Sequence, residues 1–250
     1  MTAPMAGSER TAQRLFLEDP LAAGARIACS PGQANYLLNV LRLGAGAEIL
    51  VFNGRDGEWR AHLVDVGKRR CTLECVAQVR PQSLGPDIHY LFAPLKHARL
   101  DYMVQKATEM GAARLQPVLT RRTIAARVNS ERMRANAIEA AEQCGVLRVP
   151  EVAAPEPLEA VLQGWDPARA LVFADEGAEV ASPLAALAPL EGRPLAVLIG
   201  PEGGFDPSEQ AMLRKKRYAV AISLGPRIMR ADTAAVAALA LVNAALGDWR

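Results

Sequence analysis

Two apolar runs that each break into a glycine-bearing polar loop constrain this chain most. The first run is Pro194-Leu195-Ala196-Val197-Leu198-Ile199, followed by Gly200-Pro201-Glu202-Gly203-Gly204-Phe205. The second is Ala219-Val220-Ala221-Ile222-Ser223-Leu224, followed by Gly225-Pro226-Arg227-Ile228-Met229-Arg230-Ala231-Asp232-Thr233-Ala234. Short runs without polar alternation suit strands buried on both faces of a sheet. Glycines allow backbone angles and close approaches that a side chain forbids. Loops leaving the carboxyl ends of buried strands are where open α/β sheets bind ligands. The expectation is a small-molecule pocket here, with a purely structural pair of turns as the alternative.

The first loop is not a phosphate cradle. It matches neither the dinucleotide fingerprint nor the P-loop, because the Lys-Ser/Thr pair is missing. Pro201 removes an amide donor, and Glu202 opposes a polyphosphate. Such a loop suits a neutral or cationic ligand gripped by backbone groups.

The texture changes along the 250 residues. From Arg14 to about Val79 the pattern is short and β-rich, with Asn53-Gly54 marking a hairpin between Glu48–Phe52 and Glu58–Val64. A short helix over Ala34–Leu43 and a strand over Arg70–Val76 complete a small β barrel or sandwich. Pro81–Pro86 is rich in breakers and reads as a linker. Beyond it, strands at 88–93, 113–119, 170–174, 194–199 and 219–224 alternate with helices. The helices are expected at 99–110, 130–144 with Ser130 as N-cap, 207–217 after Asp206, and 232–246. That order predicts an α/β domain, a mostly parallel sheet with helices on its faces. The domains expected are a leader at 1–13, a β domain at 14–80, the linker at 81–86 and an α/β domain at 87–250.

No apolar stretch reaches the length of a membrane span, and the first residues have no signal-peptide core. Cys29, Cys71, Cys75 and Cys144 give no disulfide framework, which fits a reducing cytoplasm. His62, His89 and His97 show no metal spacing, so no metal is expected. Net charge is only +2, yet basic residues cluster at Lys68–Arg70, at Arg121-Arg122 with Arg127, Arg132 and Arg134, and at Arg214–Arg217. Singly these read as solvated faces. Together they fit a polyanionic partner, because Lys and Arg supply sequence-independent phosphate contacts.

From about Arg14 onward the chain resembles the 16S ribosomal RNA uracil-N3 methyltransferases, the RsmE branch of the SPOUT methyltransferases. Five segments carry the resemblance in order: Asn39–Gly44, Gln105–Gly111, Glu142–Gly145 with Arg148-Val149-Pro150, Leu198–Phe205 and Leu224–Ala234. The resemblance implies a PUA-like RNA-binding β-barrel domain followed by a SPOUT domain with a deep trefoil knot, an exception to unknotted chains. It implies S-adenosylmethionine as cofactor, held in the knot, and a homodimer. The implied substrate is a uridine close to the 3′ end of 16S ribosomal RNA in the small ribosomal subunit, methylated at N3. Tyr36, Val146 and Asp232 stand where the family often has His, Arg and Glu.

That reading gives the loops their roles. Leu198, Ile199, Gly200, Pro201, Gly203, Gly204, Leu224, Gly225, Ile228, Met229 and Thr233 are the candidate cofactor contacts. N3 carries a proton, which must be removed or its anion stabilised on the flanking carbonyls. Arg230 is the candidate for that stabilisation, with an ion pair to Asp232 or Glu202 as its structural role. Asp232 and Glu202 both remain candidates to accept the proton. Arg42, Lys106, Arg121 and Arg122 are the candidate RNA contacts, although Lys106 and Glu109 are spaced to pair with each other. The competing functions are a SPOUT ribose 2′-O-methyltransferase acting on transfer or ribosomal RNA, and an RNA-binding assembly factor without catalysis.

Overall fold

The computed structural model describes residues 13–96, 98–125, 127–178 and 182–249. His97 and the leader, apart from Gln13, lie outside the described residues. Two compact units emerge. One takes the described residues up to Leu84 together with Ala141–Arg148, and the other takes Gly85–Ala140 and the chain from Val149.

The first unit is built on five strands: β1 (Arg14–Phe16), β2 (Arg26–Ala28), β3 (Glu48–Phe52), β4 (Glu58–Val64) and β5 (Thr72–Arg80). They lie in the order β1-β3-β4-β5-β2, antiparallel except for the β1–β3 pair. The Asn53-Gly54 signal is realised as the β3–β4 turn. Asn53 Oδ1 accepts from the amides of Arg55 and Asp56 at 3.0 and 2.8 Å. Leu37, Ile49, Val51, Leu63 and Leu73 form the core, with the thiols of Cys71 and Cys75 buried beside them.

Two boundaries differ from expectation. The helix expected over Ala34–Leu43 begins earlier, as α1 (Pro31–Asn35), because Ser30 and Gln33 form a capping box around Pro31. It continues as one π-helical turn over Tyr36–Val40 and stops before Arg42, which takes φ 57°. The last strand runs on to Arg80, where a buried acid holds it. Glu58 is fully buried and accepts from Arg14 Nε at 2.6 Å and Arg80 Nε at 2.7 Å. Arg14 also donates to the carbonyls of Ala141, Glu142 and Val146, and it lies 4.4 Å from the Phe52 ring centre. Burial pulls the Arg14 pKa down, and the Glu58 charge opposes that pull.

The second unit is a parallel sheet: β6 (Ile88–Phe92), β7 (Ala112–Leu119), β8 (Glu151–Val152), β9 (Glu156–Pro157), β10 (Ala170–Ala174), β11 (Leu195–Ile199) and β12 (Ala219–Ile222). The order is β12-β10-β11-β6-β7-β8, with β9 also paired to β7. Its helices are α2 (Ala98–Glu109), α3 (Ser130–Cys144), α4 (Leu158–Gln163), α5 (Pro183–Leu187), α6 (Pro207–Arg214) and α7 (Ala231–Leu246). Alternate strand residues feed two cores, as the period-2 geometry of a strand requires. Tyr90, Phe92, Val172, Val197 and Ile199 pack with side chains of α2, α3, α5 and α7. Leu91, Leu171, Phe173 and Leu198 pack with α4 and α6. Helices thus cover both faces, as the alternating order predicted.

Asn129, and not Ser130, caps α3: its Oδ1 accepts from the Arg132 amide at 3.0 Å. Helix α6 ends at Arg214 instead of Arg217, because the Lys216 amide bonds back to the Leu213 carbonyl at 3.0 Å and turns the chain into β12. Among the described residues no helix is long and apolar enough to cross a membrane.

Candidate functional site

Strands β11, β10 and β12 are adjacent and parallel, so their carboxyl ends open on one edge of the sheet. Both signature loops leave that edge and border one cleft of about 870 Å³, part of it open to solvent. The volume lies in the range of about 300–1,000 Å³ usual for small-molecule sites. Ile199, Gly200, Pro201, Gly203 and Gly204 supply one wall, and Leu224, Gly225 and Met229 another. A third wall, Ala174-Asp175-Glu176 after β10, carries no glycine signature and was not anticipated. Asp175 is buried there, held by Arg214 at 2.7 Å and by the Gly177 amide at 3.0 Å.

Two glycines are needed by geometry. A Cβ on Gly200 would meet the Phe205 ring at 3.0 Å, and Gly225 takes φ +104°. Side chains from elsewhere then fix the first loop. The Arg122 guanidinium donates to the Gly203 carbonyl at 2.7 Å. Glu209, only 3% exposed, accepts from the amides of Asp206 and Arg121 at 2.9 and 2.8 Å. Together with Asp206 it forms the capping box of α6.

The charged groups meet differently from expectation. Glu202 lines the cleft, but Arg99 of α2 is its partner. Arg99 Nε also lies 3.9 Å from Asp232, so one guanidinium stands between the two acids named from sequence. Arg99 was missed because 103 residues separate it from Glu202. Arg230 occupies the N-cap position of α7 without a side-chain cap and makes no ion pair among the described residues. Asp232 sits in the first turn of α7, where a helix dipole favours an acid. Below it the Tyr90 hydroxyl is fully buried and has no partner among the described residues. Burial, and then the charge of Asp232, raises that hydroxyl's pKa well above its usual value.

The remaining candidates are placed plainly. Leu198 is fully buried in the sheet core, its side chain turned toward α4 and α6. Ile228 is 83% exposed, and Thr233 is exposed on α7 with its amide bonded to Asp232. None of these three lines the cleft. Arg42 is exposed on the first unit. Lys106 bonds to Glu109 at 2.7 Å, and Arg121 reaches Glu159 and Asp206 at 3.7 and 3.9 Å.

The cleft fits a cationic ligand with a flat apolar part. Backbone groups and Leu224 and Met229 wall it, the acids Glu176 and Glu202 line it, and no Lys does. No cluster of metal-ligating side chains occurs among the described residues. No cysteine lines the cleft, and burial with a bond to Cys71 pushes the Cys29 thiol up to about 12, far from a nucleophile's range.

A parallel sheet whose strand ends enclose such a cleft, beside a small β unit, defines the class: residues 82–243 match the RNA methyltransferase domain family and residues 31–75 the RNA methyltransferase PUA domain. The ribosomal RNA small subunit methyltransferase E of Rickettsia conorii is 30% identical over 92% of this chain and 94% of its own length. Its namesake from Synechocystis is 32% identical over 94% of this chain and 78% of its own. The chain belongs to the RNA methyltransferase family, in the ribosomal RNA small subunit methyltransferase E branch, as its signature segments implied. Two solved structures carry the same fold. The Neisseria gonorrhoeae member, bound to S-adenosyl methionine, superposes with TM-score 0.82 at 25% identity, covering 96% of this chain and all of that one. A Legionella pneumophila methyltransferase in complex with the same cofactor gives 0.82 at 26%, covering 95% and 99%.

Proposed function

We propose that this chain methylates N3 of a uridine in the 16S RNA of the small ribosomal subunit, with S-adenosylmethionine as donor. The observation that carries the reading is the single cleft enclosed by both signature loops, acidic at Glu202 and free of phosphate-binding groups. Ile199, Gly200, Pro201, Gly203, Gly204, Leu224, Gly225 and Met229 would hold the donor, the apolar members against its adenine. Leu198, Ile228 and Thr233 stand outside that wall.

The donor supplies a methyl group on a positively charged sulfur, which departs as a neutral thioether. The protein's part is alignment, which can contribute several kcal/mol, on the order of 7–11 in favourable cases. Its second part is charge. The proton on N3 passes to Glu202 or Asp232, and the negative charge left on the flanking carbonyls is met by a guanidinium. Two are available: Arg230, unpaired at the start of α7, and Arg99, standing between both acids.

The β unit would hold the RNA, with Arg42 as a contact. Its φ of 57° presents that side chain from a backbone conformation uncommon for non-glycine residues. Arg121 and Arg122 border the cleft loop and would add to the RNA surface, whereas Lys106 is committed to Glu109. A homodimer would cover Ile228, an aliphatic side chain 83% exposed in the second signature loop. A trefoil knot through the last strands and a cytoplasmic setting, consistent with four free cysteines among the described residues, complete the proposal.

The test is to incubate the protein with labelled S-adenosylmethionine and small subunits lacking the modification, and to map the methylated nucleoside. Labelled 3-methyluridine is the expected result. A 2′-O-methyl nucleoside would point to ribose methylation, and RNA binding without label to an assembly factor.

A further inference from the structure

Beyond the cofactor cleft, the second unit carries two more clefts, and shared residues join all three in a row. Arg122, Pro201 and Glu202 line both the cofactor cleft and an inner cleft of about 860 Å³. Leu95, Lys96, Ile124 and Ala125 line both the inner cleft and a wider outer one.

The inner cleft has the chemistry of a base pocket. Pro94, Leu95 and Ile124 give it apolar walls, and Ile124 is left 71% exposed, an unusual state for a large aliphatic side chain beside a cavity. Its polar groups are Lys96, Arg99, Arg122 and one carboxylate, Glu202. Uracil presents an N–H between two carbonyl oxygens. A carboxylate accepts from that N–H while neighbouring cations donate to the carbonyls. Cytosine carries a lone pair at the same position, which would face the carboxylate with no proton between them. The donor and acceptor set therefore selects a uracil.

The outer cleft has the chemistry of a phosphate site. Lys96 and Arg127 line it, both exposed and without an ion pair among the described residues. Arg132 lies there too but is held by Asp101 at 2.6 Å, and Asn136 donates to the same acid at 2.7 Å. The one acid of this cleft is thereby neutralised, and two cations stay available for a backbone phosphate.

We propose that the inner and outer clefts form one groove for single-stranded RNA. The uracil to be methylated occupies the inner cleft against Ile124, and the adjoining phosphate lies against Lys96 and Arg127. The placement rests on the reading of the glycine-loop cleft as the cofactor site, since the shared wall puts the base beside the donor. It also requires an unpaired target, because N3 lies on the pairing edge of the base.

The test uses the full chain and small subunits lacking the modification, with affinity read by co-sedimentation across a salt series. The double variant Lys96→Gln, Arg127→Gln should bind about tenfold more weakly. Its slope of log affinity against log salt should be shallower by about two, one per lost phosphate contact. Ile124→Ser should lower affinity with the slope unchanged, as a neutral contact requires. Calorimetry with S-adenosylmethionine, run on all forms, should give wild-type heats in every variant. Donor binding together with wild-type affinity and slope in the double variant would overturn the groove alone. No heat from the wild-type protein would overturn the cofactor reading instead.

Discussion

The Arg122 guanidinium donates to the Gly203 carbonyl at 2.7 Å, tying the turn after β7 to the turn after β11. The two turns lie 81 residues apart in sequence. A loop rich in glycine has much conformational freedom to lose when it grips a ligand, so a tether made beforehand lowers the ordering cost of binding. A bond from a charged donor contributes about 1.5–3 kcal/mol when shielded and less at an exposed residue such as Arg122. Arg122→Ala should therefore weaken S-adenosylmethionine binding by about threefold to tenfold in calorimetry, with the melting temperature nearly unchanged. A wild-type dissociation constant in that variant would show that the loop holds its shape unaided.

Arg99 stands between Glu202 and Asp232 and leaves one net negative charge on the three groups. Removing it places two uncompensated acids beside the place where negative charge must develop on the base. Loss of one preorganised donor of this kind costs about 100-fold or more in kcat where it acts directly. Arg99 is 40% exposed, so a fall of about tenfold is the expectation for Arg99→Gln. The KM for S-adenosylmethionine should stay within about twofold, because Arg99 does not line the cofactor cleft. Arg99→Lys should recover part of the rate, since it restores the charge without the fork. Steady-state kinetics with small subunits would decide, and an unchanged kcat in Arg99→Gln would remove the residue from the chemistry.

The loops and strands were legible because their signals are local. An apolar run such as Leu195–Ile199 announces a buried strand, and the glycines after it announce where that strand stops. The cleft was legible for the same reason, since adjacent parallel strands must open on one edge. Arg99 was not legible, because only the sheet order brings α2 beside a loop 103 residues later. Asp175 was hidden likewise, on a strand end without glycines. Leu198 was placed in the cleft by proximity to its motif. Strand alternation sends its side chain to the opposite core, with Phe173 and Phe205. Glu58 read as one polar residue in an alternating strand, and nothing local revealed that two arginines would bury it.

That acid supports the stability of the first unit. Glu58 has no exposure to solvent and binds Arg14 and Arg80 with opposite oxygens. Arg14 in turn satisfies carbonyls of Ala141–Val146. Removing one partner of a buried pair strands the other charge, at a cost of about 3–5 kcal/mol. Arg14→Ala should lose about that much in urea unfolding, softened because Arg80 still holds Glu58. Glu58→Gln should cost a comparable amount, since it leaves Arg14 without its counter-charge. A loss below about 1 kcal/mol in both variants would mean that the network contributes geometry and not stability.

Stability of the second unit should depend on pH through His89. Its ring lies on β6, and burial, followed by the charge of Arg169, lowers its pKa from 6.5 to about 4. Asp87, 3.6 Å away, opposes the shift without cancelling it. The folded state thus keeps the imidazole neutral where the unfolded chain already binds a proton. By linkage, the full contribution is present above pH 6.5 and is lost as pH falls toward about 4. With the ring 27% exposed, the loss should be about 1 kcal/mol once solvent screening is allowed for. Unfolding free energies measured at intervals between those pH values should fall in the wild-type protein. His89→Gln, which cannot take up the proton, should show a correspondingly flatter profile. Equal slopes in the two proteins would assign the acid sensitivity to other groups.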